Sequence, residues 1–182
     1  MAAAIVFAAW WMGGRAGFDE IGSGGVNRKF LPRVGEVAPD MMALDVYQQP
    51  VLLSQFRGQP VWLTFWGSWC PPCRSEMPEI QQAYVSLAPQ GVVLMAVSID
   101  ESMQESQEFA AVAGATFPIL NVPERWLIAE RGYDLYNVPT HIFIDAGGVV
   151  RTIIAGPVDE DSAMAAAETI LAETAMRPAE SG

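Results

Sequence analysis

Cys70 and Cys73 are the chain's two cysteines, and they stand three residues apart in Trp69-Cys70-Pro71-Pro72-Cys73. At that spacing two thiols can close a disulfide on one turn of chain, so the pair can take up and release two electrons. The thiolate is the working species, and a free cysteine is only about 3% ionised at pH 7. A helix N-terminus favours an anion through its unpaired N–H groups and its dipole. With Cys70 at such a tip, the expected chemistry is thiol–disulfide exchange. Cys70 attacks a disulfide, a mixed disulfide forms, and a shielded Cys73 resolves it. Pro71 and Pro72 suit the first helical positions, where a missing N–H costs little, and they stiffen the link between the sulfurs. A bridge around two residues closes too small a loop to add much stability, which favours chemistry over stapling.

The flanking elements must deliver this pair. Pro60–Trp66 reads as a buried strand and Arg74–Leu87 as a helix, with Met77, Ile80, Tyr84 and Leu87 recurring on one face. Pro78 lies inside that helix, removes one backbone bond and predicts a kink. Val92–Val97 is a second apolar strand. Ser102 and Glu105 form a capping box ahead of the next helix, which Gly114 closes. Phe117–Leu120 is a short extended piece, and Glu124–Arg131 a short helix stopped by Gly132. His141–Asp145 and Val149–Ile154 flank Ala146-Gly147-Gly148, a hairpin signal. Asp159–Ala175 is a final helix with Met164, Ala167 and Leu171 on one face. Upstream, Ala43–Asp45 and Val51–Leu53 read as short strands about a turn at Gln48-Gln49-Pro50. This order predicts an α/β fold: a central mixed β-sheet flanked by helices on both faces, with an extra N-terminal β-hairpin.

A chain of 182 residues, 51% of them hydrophobic, is one domain by default and has enough apolar mass for a core. The formal net charge of -11 gives no electrostatic reason to bind nucleic acid. One histidine and two cysteines cannot build a four-ligand zinc site, and no metal is expected. Residues 1–14 are a hydrophobic segment; Ala2–Met12 carries no charge. As a helix that run spans about 16 Å against roughly 30 Å of hydrocarbon, too short to cross alone. It is read as a truncated signal anchor, with Trp10 and Trp11 at the interface, or as an apolar helix packing on something else. Residues 15–33 are a Gly-rich flexible linker, 34–175 the folded domain and 176–182 a frayed tail.

Phe65-Trp66-Gly67-Ser68-Trp69-Cys70-Pro71-Pro72-Cys73-Arg74-Ser75-Glu76-Met77-Pro78 resembles the active-site segment of the TlpA/ResA-like thiol-disulfide oxidoreductases, within the thioredoxin superfamily. Val138-Pro139-Thr140 resembles that superfamily's cis-proline loop, and Val92–Asp100 its strand and loop before the second helix. The resemblance implies a thioredoxin-like fold. It implies that Cys70 attacks and Cys73 resolves, that Pro139 is cis, and that the backbone of Val138 pairs with the substrate chain as an added strand. Trp69, Pro71 and Pro72 would border the substrate, while Trp66 is read as core. Glu76 matches an acidic residue associated with tuning the cysteines. It either accepts a proton from Cys73 or raises that thiol's pKa by like charge, or else it is a solvated carboxylate favoured by the helix dipole. Thr64 departs from thioredoxin itself, which carries a buried Asp there. This makes Glu76 the better proton handler. His141 is read as an edge or core residue, with a place near the site as the alternative.

The function implied is a membrane-tethered, extracytoplasmic disulfide reductase of the cytochrome c maturation type, serving cell redox homeostasis. Its redox group would be the Cys70–Cys73 disulfide, with no separate cofactor. Its partners would be a disulfide-containing protein such as apocytochrome c and a membrane electron donor, and it would act as a monomer. A thiol peroxidase is a competing reading, but Leu63 and Gly67 occupy the Pro and Thr/Ser positions of the Pro-x-x-x-Thr/Ser-x-x-Cys pattern. A Sco-like copper carrier is another, but the Cys spacing is one residue short for it.

Overall fold

The structure, a computed structural model, describes residues 31–124, 128, 132–133 and 137–176. The expectations for residues 1–30, for most of the Glu124–Arg131 helix and for residues 177–182 lie outside these described residues.

The chain runs β1 (Met42–Leu44), β2 (Pro50–Leu52), β3 (Val61–Trp66), α1 (Pro71–Leu87), β4 (Val93–Ile99), α2 (Met103–Val112), β5 (Ile119–Val122), β6 (Thr140–Ile144), β7 (Val150–Ala155) and α3 (Glu160–Met176). The strands form one mixed sheet in the order β2-β1-β5-β4-β3-β6-β7. β3 is buried along its whole length. It pairs in parallel with β4 and antiparallel with β6, so its continuous apolar run has neighbours on both edges. The N-terminal hairpin of β1 and β2 adds to the far edge, where Leu44 pairs with Asn121 of β5. The mixed sheet, the flanking helices and the N-terminal hairpin expected from the sequence are observed, but the three described α-helices lie on one face of the sheet rather than on both.

Alternation along β3 divides the core. Trp62 and Trp66 face a cluster with Met77, Ile80 and Leu87 of α1, Ala110 of α2, and Ala163, Ala167 and Ile170 of α3. Leu63 and Phe65 face the other way, toward Ala38, Met41, Leu53, Ile128 and Tyr133. The three described helices therefore contribute to one face, and Ala38, Met41 and Leu53 help cover the other. Burying each large α1 side chain contributes roughly 1.5–3 kcal/mol, which fixes the helix that carries the cysteines.

α1 starts three residues earlier than periodicity suggests, because Pro71 and Pro72 occupy its first two positions. It continues through Pro78, whose missing N–H removes one i→i−4 bond. The capping box at Ser102 is present, with Glu105 as its partner. In α3 the deepest residues are Ala163, Ala167 and Ile170, while Met164 and Leu171 sit at the margin. The small alanines let α3 lie close on the sheet.

Candidate active site

The chain leaves β3 at Trp66, turns through Gly67-Ser68-Trp69 and enters α1 at Cys70, its N-cap. Cys70 and Cys73 form a disulfide, with Cα atoms 5.3 Å apart. The first two helical residues are prolines with no N–H to offer. The nearest backbone donor to the sulfur is therefore that of Cys73, whose N lies 3.3 Å from Cys70 Sγ. The helix tip thus presents one N–H and its dipole to Cys70 Sγ. Cys73 is fully buried, as a shielded partner must be. Cys70 is also buried, at 3% exposure, so in the disulfide form the first sulfur is less open than the sequence suggested. Part of its cover is Val138, whose carbonyl oxygen lies 3.5 Å from Cys70 Sγ. The Val138–Pro139 peptide bond is cis, and β6 follows at Thr140. The antiparallel pairing of β6 with β3 carries this loop to the cysteines.

Trp69 is half exposed, and its Nε1 donates to the Ile99 carbonyl at 3.0 Å. Pro71 and Pro72 are exposed. Trp66 is core and packs against Phe109. Ser68 is clamped: its N–H and its hydroxyl both donate to the Glu101 carboxylate. Asn121 Nδ2 donates to the Glu101 carbonyl at 3.0 Å and to Ser98 Oγ at 2.9 Å, tying the clamp to β4 and β5. Arg74 donates to the Ser68 carbonyl at 3.3 Å, and its guanidinium lies over the Phe109 ring. Burial raises the Glu101 carboxyl above its ordinary value, against the Ser68 hydrogen bonds. Glu101 and Asn121 were not singled out from the sequence. The usable signal was an acid just past a buried parallel strand, on the sheet end where α/β proteins place their sites.

Glu76 lies one turn beyond Cys73 on the same face of α1 and is buried, at 2% exposure. A solvated carboxylate does not describe it. Its Oε2 accepts from Val158 N at 2.9 Å and lies 3.2 Å from His141 Nε2. Its Oε1 has no hydrogen-bond partner among the described residues. His141 is fully buried, a core residue that also reaches the site through Glu76. Thr64 lies opposite His141 in the β3–β6 register and is buried. Among the described residues no three ligating side chains converge on a metal position.

A disulfide at the tip of the helix following a central strand, faced by a cis-proline loop, defines a thioredoxin-like thiol–disulfide oxidoreductase. The model of the AhpC/TSA family matches residues 34–153. The thiol-disulfide oxidoreductase ResA of Geobacillus kaustophilus is 38% identical over 128 residues, covering 70% of this chain and 72% of that protein. ResA of Bacillus subtilis is 32% identical over 126 residues, 69% of each chain. The crystal structure of a thiol:disulfide interchange protein, a thioredoxin family protein from Chlorobium tepidum, matches with a TM-score of 0.65 at 26% identity. The match covers 76% of this chain and 97% of that one. The chain belongs to the AhpC/TSA family and, within it, to the ResA-like thiol–disulfide oxidoreductases of the thioredoxin superfamily.

Proposed function

We propose that this oxidoreductase works as a reductase of disulfides in extracytoplasmic proteins, tethered to the membrane by its N-terminal segment. The observation that carries the reading is the asymmetry of the pair: Cys70 Sγ meets the helix tip and the Val138 carbonyl, while Cys73 is buried beside Glu76. In the dithiol form Cys70, as thiolate, attacks one sulfur of a substrate disulfide. A Cys70–substrate bond forms, and the other substrate sulfur leaves as a thiolate that takes a proton from solvent. Cys73 then gives its proton to Glu76 and attacks Cys70 Sγ. The Cys70–Cys73 bond forms, the mixed disulfide breaks, and the second substrate sulfur leaves and is protonated. The substrate gains two electrons, and the protein ends as the disulfide. A dithiol donor in the membrane returns it to the starting state.

Val138 supplies backbone groups beside the sulfur, suited to pairing with an extended substrate segment. Trp69, Pro71 and Pro72 are the exposed surface around it. No separate cofactor enters these steps. Among the described residues no helix is long and apolar enough to cross a membrane. The tether proposed is residues 1–14, whose uncharged apolar run reads as part of a signal anchor. The substrate class favoured is apocytochrome c, whose Cys-x-x-Cys-His segment must be a dithiol before haem attaches.

The test is to mix the dithiol protein with insulin and with an oxidised Cys-x-x-Cys-His peptide. The reading predicts stoichiometric disulfide formation between Cys70 and Cys73 as each substrate is reduced, faster with the peptide. No reduction of either would overturn it. Rapid peroxide turnover would favour the peroxidase reading instead, and tight stoichiometric Cu(I) binding through His141 the carrier reading.

A further inference from the structure

His141 has a polar partner on each side of its ring, and the two partners are unlike. On one side Trp62 Nε1 lies 3.3 Å from Nδ1. An indole nitrogen can only donate, so Nδ1 must present a lone pair. The neutral ring then carries its proton on Nε2, which faces Glu76 Oε2 at 3.2 Å. A second proton on Nδ1 would meet the indole N–H head on, so the geometry opposes the imidazolium. Trp62 has little freedom to turn away. Its ring stacks on Phe143, with centroids 5.3 Å apart, and tilts against His141. All three side chains are fully buried.

The consequence falls on Glu76. Oε2 receives two donors, the His141 ring and Val158 N at 2.9 Å. Oε1 is buried with no partner among the described residues. A buried oxygen left without a donor is costly unless it has work to do. Cys73, also fully buried, is its neighbour one turn back.

We propose that His141 is a positioning residue for the Cys73 half of the reaction: a neutral imidazole, locked as the Nε2–H form by Trp62, that ties down Glu76 Oε2 and leaves Oε1 as the proton-accepting atom. This rests on the reading of Glu76 as the acceptor of the Cys73 proton. Other charged groups on the packed elements are engaged or distant in kind. Glu79 of α1 accepts from Glu160 N at 3.2 Å, and Arg74 of α1 binds the Ser68 carbonyl. Asp159 and Asp161 at the start of α3 are exposed, and Arg151 of β7 pairs with Asp145 and Glu173.

The chain has a single histidine, so 15N-histidine labelling reports on this ring alone. The expected spectrum of the native protein at neutral pH, in both redox forms, shows a protonated Nε2 and a bare Nδ1 facing the indole. An Nδ1–H tautomer would overturn the proposal. The second readout is single-turnover release of a mixed disulfide from Cys70 as a function of pH. His141→Phe removes a donor from a buried carboxylate, so the pH at which release switches on should move upward. A merely structural role would lower thermal stability and leave that midpoint unmoved, and this result would also overturn the proposal. Glu76→Gln should slow release at least about 100-fold across the range, and adding His141→Phe to it should shift nothing further. Release that is unchanged in Glu76→Gln defeats the Glu76 reading itself. Slow release there, with an unmoved midpoint in His141→Phe, defeats only the role of His141. Should His141→Phe fail to fold, the spectrum of the native protein decides.

Discussion

Ser68 and Glu101 are 33 residues apart in sequence, yet the Glu101 carboxylate receives both the N–H and the hydroxyl of Ser68. The contact pins the loop that ends in Cys70 to the C-terminal end of β4. Burial lifts the Glu101 carboxyl above its ordinary value of 4.5. The Ser68 hydrogen bonds oppose the rise and nearby Glu105 adds to it. The folded protein therefore binds this proton more tightly than the unfolded chain does. Stability from this site is highest below pH 4.5 and falls as pH rises through the raised value. Urea unfolding between pH 4.5 and 7 should show that fall in the native protein and not in Glu101→Gln. Equal slopes in the two proteins would refute the assignment.

Gly67 leaves room for Trp69. A Cβ at position 67 would lie 2.5 Å from Trp69 Nε1. Because the indole is half exposed, it can swing outward, at the loss of its bond to the Ile99 carbonyl. Gly67→Ala should thus cost only about 1 kcal/mol of stability. It should also move the Trp69 indole N–H resonance and slow exchange with protein disulfides severalfold. An unmoved resonance would show that the loop accommodates the methyl in some other way.

The α2 cap offers a purely local test. Ser102→Ala should lower unfolding stability by about 1 kcal/mol. The carboxyl of Glu105 is held below its ordinary 4.5 by the backbone and side chain of Ser102. Its contribution is present above pH 4.5 and is lost as pH falls through the lowered value. In Ser102→Ala that acid-side loss should shrink, as acid titration followed by circular dichroism would register. An unchanged acid limb would mean that the box contributes nothing.

The features legible in the sequence are those written in neighbouring residues. The strand–turn–helix around Cys70, the Ser102–Glu105 box and the hairpin at Gly147-Gly148 each depend on a few consecutive positions. The pairing of Glu76 with His141 joins α1 to β6 between residues 65 apart, which no local pattern encodes. A glutamate in an early helical turn looks solvated until the segment at Val158 and α3 closes over it. The Glu101 clamp is hidden for the same reason, since it needs β4 placed beside β3. The outward limit on Cys70 was also missed, because its cover comes from Val138 across the sheet.

Division of labour between the two sulfurs is tested most directly by comparing Cys73→Ser with Cys70→Ser, each incubated with insulin and analysed by non-reducing mass spectrometry. The expected result is a covalent insulin adduct on Cys70 in Cys73→Ser and little or none in Cys70→Ser. Adducts of equal yield in both variants, or a greater yield on Cys73, would contradict it.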